Sequence, residues 1–439
     1  MKPAEDPSLD QIARDSTTQP GGSLPRRVLY IQHAGCLGGS ATSLRYLAEG
    51  MQAAGVECTI ALARPCRELF DWYAAAGIAA IATPEICCWD HSTVAPRHLT
   101  NPRHLLDLAS VARRWRSSRR ATLRLVDRIG ADLVHLNSMP LSSSASALAE
   151  AGVPFVWHVR EPPPDQGLRT RMIRGIMDRA PHCVFITRYD REQWVGDGPG
   201  RIIYNCVPDD WFEPHEPKPA ADCTDGVVRF AYLGGFSEAK GVRVLLEALR
   251  LLKASETGWE CVMPGCLEDE RYVRRQRLVK RLATAAGYRN LRERLLPRFQ
   301  SLAPVVQLKA FVGDVRSLLE TVDFLVFPAT MPHFPRPVIE AAALRLPAVG
   351  TDVGGVNECI LHRETGLLCP PGDAAALAGV IREMIDNAGL RRATGERAYA
   401  RAVGTYSLTA QRRAIADVYR DALGRPLASA PAAAEVGTA

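Results

Sequence analysis

Short, unbroken apolar runs recur along this chain, each followed by a stretch with helical periodicity, and the series occurs twice. The first series holds "RRVLYIQ", "VECTIALA", "ADLVHLNS", "PFVWHV" and "HCVFIT". The second holds "VRFAYLGG", "WECVMPG", "VVQLKAFVG", "DFLVFPA" and "PAVGTD". Runs that do not alternate with polar residues suit strands buried on both faces, as in a parallel sheet. Strand and helix in alternation make such a sheet doubly wound. The expected fold class is α/β, with two Rossmann-like doubly wound domains facing a cleft. Ligands bind such sheets at the carboxyl ends of the strands.

Boundaries follow from composition. A polar, Pro/Gly-rich lead-in covers 1–26 and the first domain 27–207. A Pro- and Asp-rich linker covers 208–225, and the second domain 226–405. An amphipathic helix over 406–424 is placed to cross back to the first domain, and 425–439 is a low-complexity tail. No window approaches the roughly 20 apolar residues of a membrane span. The N-terminus lacks the apolar middle of a secretory signal. Twelve scattered cysteines include no C-x-x-C pair, so reduced thiols in a cytoplasmic protein are expected.

The formal net charge of +6 is unevenly placed. Residues 271–298 carry ten Lys/Arg against one Glu, and 113–128 carry seven Arg against one Asp. Arg274, Arg277 and Arg281 share a helical face by spacing, and Trp115 reads as an amphipathic anchor in the other segment. Attraction to an anionic membrane, on its inner face, is one reading. A solvated helix face is the other. Nucleic acid ranks below both, because no recognised nucleic-acid module accompanies the charge.

Three loops carry candidate chemistry. In "LGGFSEAKGVRVLLEALRLL", Lys240 and Gly241 open a helix, so a cation sits where the helix dipole is positive. The pair suits phosphate, although a solvated lysine beside a turn would look the same. In "TMPHFPRPVIEAAAL", prolines stiffen the loop and leave backbone N–H groups on Arg336 and Val338. Glu340, one turn into the helix, can accept hydrogen bonds from paired hydroxyls, or merely complement the dipole. In "HAGCLGGSATSL", Gly38 and Gly39 let the backbone approach a ligand closely, and Ser40 or Thr42 is a candidate helix cap.

The order and spacing of these elements resemble the retaining, GT-B fold glycosyltransferases of group 1, glycosyltransferase family four. The carrying segments are "GGFSEAKGVRVLLEA", "VRSLLETVDFLVFPA" and "PHFPRPVIEAAALRLPAVGTDVGGVNECILHRETGLLCPPGD", with a looser, collinear match in the first half. The resemblance implies that Lys240 binds the donor diphosphate and Glu340, second Glu of a Glu-x7-Glu pair, holds the ribose. Phe334, Pro335, Arg336 and Val338 would form the loop touching sugar and phosphates. Gly38 and Gly39 would close over the diphosphate, and His158 would stand at the anomeric centre. The first Glu of the pair is replaced by Pro332, and Gly235 stands where an Arg is common, so His333 or Arg336 would take over contacts. The implied activity is transfer from a nucleotide sugar (UDP- or GDP-linked) to a glycan, lipid-linked or small-molecule acceptor, with retention and without metal or cofactor. A nucleotide-sugar epimerase or hydrolase, or a non-catalytic nucleotide-sugar binding protein, is the alternative.

Overall fold

The structure, a computed structural model, describes residues 23–90, 102–213, 226–255, 258–266, 290–310 and 314–424. Two all-parallel sheets form its frame. The first contains β1 (Arg27–Gln32), β2 (Glu57–Leu62), β3 (Ala79–Ala82), β4 (Leu133–Asn137), β5 (Phe155–Val159), β6 (Cys183–Phe185) and β7 (Arg201–Ile202), in the order β3-β2-β1-β4-β5-β6-β7. The second contains β8 (Val228–Ala231), β9 (Trp259–Met263), β10 (Val306–Leu308), β11 (Phe324–Phe327), β12 (Ala348–Thr351) and β13 (Gly366–Cys369), in the order β10-β9-β8-β11-β12-β13. Each order reverses at its first strand, which opens a crevice between β1 and β4 and another between β8 and β11.

Helices of the first half are α1 (Gly39–Ala53), α2 (Arg67–Ala74), α3 (Pro102–Ile129), α4 (Ser142–Ala151), α5 (Leu168–Met177) and α6 (Arg188–Val195). Those of the second are α7 (Val242–Ser255), α8 (Leu291–Gln300), α9 (Val315–Leu319), α10 (Arg336–Ala343), α11 (Val356–Cys359), α12 (Ala374–Asp386), α13 (Ala388–Thr405) and α14 (Leu408–Gly424).

All ten apolar runs are strands, and the sheet explains why. Phe155, Trp157 and Val159 of β5 pack with Val134 and Leu136 of β4 in one core layer. Val156 packs with Val28, Tyr30 and Leu133 in the layer on the opposite face. With both faces covered, no polar alternation is possible. The three strands outside the runs, β3, β7 and β13, are all edge strands. β3 and β7 contain no buried residue, so burial imposes no apolar run there.

The last helix does cross back. Ile415 and Tyr419 of α14 are buried in the first domain's core beside Tyr30 and Val156. The outgoing and returning chain segments run side by side where they cross. Val207 donates to the Tyr406 carbonyl (2.8 Å) and accepts from the Leu408 amide (3.0 Å). Asp209 accepts from the amide (3.1 Å) and hydroxyl (2.7 Å) of Thr409, and Gln411 donates to the Tyr204 carbonyl (2.8 Å). The hinge is therefore a doubled, hydrogen-bonded segment.

Candidate functional site

The loops that follow β8 and β11 are stitched into one wall. The Thr330 amide donates to the Ala239 carbonyl (3.0 Å) and its hydroxyl to the Glu238 carbonyl (2.8 Å). Gly241 has φ +75°, and a Cβ there would fall 1.7 Å from the Pro328 carbonyl oxygen, so only glycine lets the loops meet. Tyr232 donates its hydroxyl to the Lys240 carbonyl (3.2 Å), which fixes the backbone under the lysine. The Lys240 ammonium has no ion-pair or hydrogen-bond partner among the described residues, and partial burial lowers its pKa. His333 stacks on Phe327, rings 5.9 Å apart and 12° from parallel. Burial, then the charge of Lys240, holds His333 down to about 4, so its imidazole is neutral at physiological pH.

Glu340 lies one turn into α10. Burial raises its carboxyl to about 7, opposed by Arg336, whose guanidinium is 3.8 Å away. That long ion pair leaves most of the carboxylate's acceptor capacity unused among the described residues, as a hydroxyl-binding group requires.

The start of α1, one turn before Ser43, which accepts from Arg336, belongs to the first domain. Gly38 is fully extended (φ 173°, ψ −177°), and no side chain caps the helix. A Cβ on Gly38 or Gly39 would meet nothing within 4 Å. Neither backbone conformation nor packing demands glycine there, and the space before the first-turn amides is open. The cap expected from Ser40 or Thr42 is absent, for a local reason. Both residues lie inside the helix, which starts at Gly39: the Ser40 hydroxyl accepts from Gln32 (3.3 Å), and the Thr42 amide is bonded to the Gly38 carbonyl (3.0 Å). An uncapped helix start presents N–H groups and the positive dipole end, which suits an anion.

Several predicted contacts take other work. Phe334 and Val338 are buried in the second domain's core, and Pro335 is buried as well. The amides expected to be free are consumed by the turn that the prolines impose: Arg336 donates to Phe334 (3.1 Å) and Val338 to Pro335 (2.8 Å). The Arg336 guanidinium spans the domains, donating to the Cys206 carbonyl (3.1 Å) and to the Ser43 hydroxyl, with its carbon 5.7 Å from the Tyr46 ring centre. Gly235 supplies a left-handed turn (φ +57°).

His158 does not reach the cleft. It is fully buried, its Nδ1 3.2 Å from His135 Nε2, and His135 meets the Tyr419 hydroxyl at 2.8 Å. The strand's pleat aims it at the α14 face instead of past the strand end. Arg160, two residues on, lies past the strand's end but is buried as well. It donates to Asn137 (2.6 Å) and to Asn205 of the hinge (2.6 Å), with His158 Nδ1 3.4 Å from its third nitrogen. Burial and then the charge of Arg336 bring its pKa down to about 10. The period-2 alternation that relates His158 to Arg160 was the available signal for this residue.

The glycine pair after β12 joins the domains. Gly354 packs on the Tyr189 ring, where a Cβ would lie 2.3 Å from a ring carbon, and Gly355 turns with φ +84°. Glu358 then accepts from the Arg188 amide (2.7 Å), the Tyr189 amide (2.9 Å) and the Tyr204 hydroxyl (3.1 Å). A carboxylate of the second domain thus caps α6 of the first.

Trp115 faces inward, edge-on to Trp89 at 6.0 Å, so it anchors α3 to its own domain. Arg113, Arg116, Arg120, Arg124 and Arg128 are exposed along α3 at helical spacing. Arg274, Arg277 and Arg281 lie outside the described residues.

Comparison with known proteins agrees with this architecture. Residues 224–401 match the family model of glycosyl transferases group 1, and residues 37–211 that of glycosyltransferase family 4. Glycogen synthase of Mycobacterium tuberculosis is 24% identical over 294 residues, 61% of this chain and 63% of the relative. CapM of Staphylococcus aureus, a capsular polysaccharide biosynthesis glycosyltransferase, is 24% identical over 176 residues, 40% of this chain and 41% of the relative. The chain thus matches less than two thirds of the length of these curated relatives. The structure of HepE from Anabaena, solved in complex with UDP, has TM-score 0.65 at 17% identity, covering 89% of this chain and 98% of that one. One matched family region lies in each sheet domain, the first beginning after β1, and together they take in the second crevice and the hinge. The chain belongs to the group 1 glycosyltransferases and has their GT-B fold.

Proposed function

We propose that the protein moves a sugar, with retention, from a nucleoside diphosphate donor to an acceptor hydroxyl. The observation that carries this reading is a half-buried ammonium without a partner among the described residues, together with an uncapped start of α1 in the other domain, the helix that Arg336 reaches through Ser43. As the bond from the anomeric carbon to the donor oxygen breaks, the diphosphate leaves with the electron pair and gains negative charge. Lys240 and the amides at Gly38 and Gly39 supply fixed positive potential where that charge grows. Neutral His333 adds a hydrogen-bonding ring beside Lys240 without a second cation. Glu340 accepts from the ribose diol. The acceptor hydroxyl forms the new bond, and its proton passes to the departing phosphate. In this reading the chain itself provides the positive charge, and no cofactor takes part. Binding and product assays with UDP- and GDP-sugars, with and without acceptor, test it. Donor turnover that ignores every acceptor would favour a hydrolase or epimerase instead.

Glu340 makes donor binding depend on pH. The ribose hydroxyls donate best to the ionised carboxylate, whereas burial keeps that group protonated up to about 7. Nucleotide-sugar affinity should fall as pH drops through 7, by up to about tenfold per unit, and Glu340→Gln should flatten the profile. The stability effect has the opposite sign. An acid held above its ordinary value favours the fold at low pH and loses that contribution as pH rises through 7. The ligand-free Gln variant should therefore melt higher than the parent at pH 8. A parent profile flat from pH 8 to 6 would contradict this role.

The arginine stripe of α3 supports a peripheral contact with an anionic membrane. Among the described residues, no helix is long and apolar enough to cross one. Binding to phosphatidylserine vesicles that vanishes in high salt is expected; equal binding to neutral vesicles would refute the contact.

A further inference from the structure

A cavity of about 180 Å³ opens at the carboxyl ends of β2 and β3, apart from the Lys240 wall. Its sides are the segment carrying Cys88, Trp89 and Asp90 and the α3 turns carrying Arg114, with Arg64 and Arg169 completing it. Among the described residues, three guanidiniums and one carboxylate line this space. Arg64 and Asp90 form a two-pronged pair (2.6 and 3.2 Å). The Arg114 guanidinium donates to the Pro84 carbonyl, and Arg169 is 8% exposed. Counted over the described lining residues, guanidiniums outnumber carboxylates by two, and guanidiniums are planar donors that match an oxyanion.

The cavity adjoins the glycine loop. Cys88 Sγ lies 3.9 Å from the His33 carbonyl, and a Cβ on Gly35 would sit 3.0 Å from Arg64 Cβ. A ligand here would stand beside the loop that faces the diphosphate grip. The volume corresponds to roughly six waters, room for a phosphate or carboxylate and part of a sugar ring. Leu106, Leu168 and Met172 are exposed on α3 and α5, the helices that also carry Arg114 and Arg169.

We propose that this cavity receives the acceptor, and that the acceptor carries an oxyanion, a phosphate or a carboxylate. The proposal rests on the transferase reading above. The excess of guanidiniums over carboxylates selects the anion, and the exposed apolar side chains offer support to an attached tail.

Trp89 lies in the wall and provides the readout, with Trp89→Phe as the control for the other tryptophans. The full chain is saturated with UDP or GDP, whichever binds, then titrated with octyl glucoside, octyl glucoside 6-phosphate and glucose 6-phosphate. The phosphorylated probes should bind at least tenfold more tightly than the neutral one. Arg114→Gln should erase that preference, Arg114→Lys should keep part of it, and nucleotide affinity should be unchanged in both. Tight binding of the octyl phosphate alone identifies an amphiphilic acceptor, and equal binding of glucose 6-phosphate a soluble one; either supports the proposal. Equal affinity for neutral and charged probes, or a preference that survives Arg114→Gln, overturns it. A chain that binds neither UDP nor GDP overturns the transferase reading itself, which separates the two failures.

Discussion

Lys240→Ala is expected to lower turnover by roughly 100- to 1,000-fold, the loss found when one preorganised donor to a developing anion is removed. The effect should fall more on kcat than on KM, because the charge it meets is larger in the transition state than in the bound donor. Folding should not suffer. The ammonium has no partner among the described residues, and burial disfavours its charged form, so the alanine variant should melt at or above the parent temperature. This separates a functional lysine from a structural one, whose removal would lower both activity and stability. Unchanged turnover would remove Lys240 from the site.

Glu358→Ala is expected to uncouple the domains. It strips an acceptor from two amides at the start of α6 and from the Tyr204 hydroxyl. Hydrogen bonds to a charged group contribute about 1.5–3 kcal/mol each. Water can reach Arg188, so a net loss of about 2–3 kcal/mol is the reasonable sum. Calorimetry should resolve two transitions where the parent shows one, because the lost contacts join the lobes and belong to neither core. Nucleotide affinity, set mainly by the second domain, should change little, while kcat/KM falls at least tenfold as closure becomes less favourable. A single transition at the parent temperature would show that Arg336 and the doubled hinge suffice without Glu358.

The ten apolar runs, Lys240 at a helix mouth and Glu340 one turn into α10 were all legible along the chain, because each depends on neighbours a few residues away. The failures depend on distant partners. His158 is buried against His135, which α14, some 250 residues further on, holds through Tyr419. The amides of Arg336 and Val338 looked free because the prolines beside them lack donors. Those same prolines bend the chain until both amides meet carbonyls of their own loop. Glu358 was not among the candidate residues in the sequence. Its partners Arg188 and Tyr189 lie in the other domain, and no local pattern announces them. Ser40 failed as a cap because the helix starts one residue earlier, at Gly39, which puts Ser40 inside its first turn. Local chemistry was readable, whereas contacts between lobes needed the fold.

Both lobes matter to one claim: a diphosphate bridges the Lys240 ammonium and the open start of α1. A crystal structure of the full chain with UDP or GDP tests it most directly. Phosphate oxygens are expected within hydrogen-bond distance of Lys240 Nζ and of the amides at Gly38 or Gly39, with the ribose on Glu340. A nucleotide bound elsewhere, or its phosphates held away from Lys240, would contradict it.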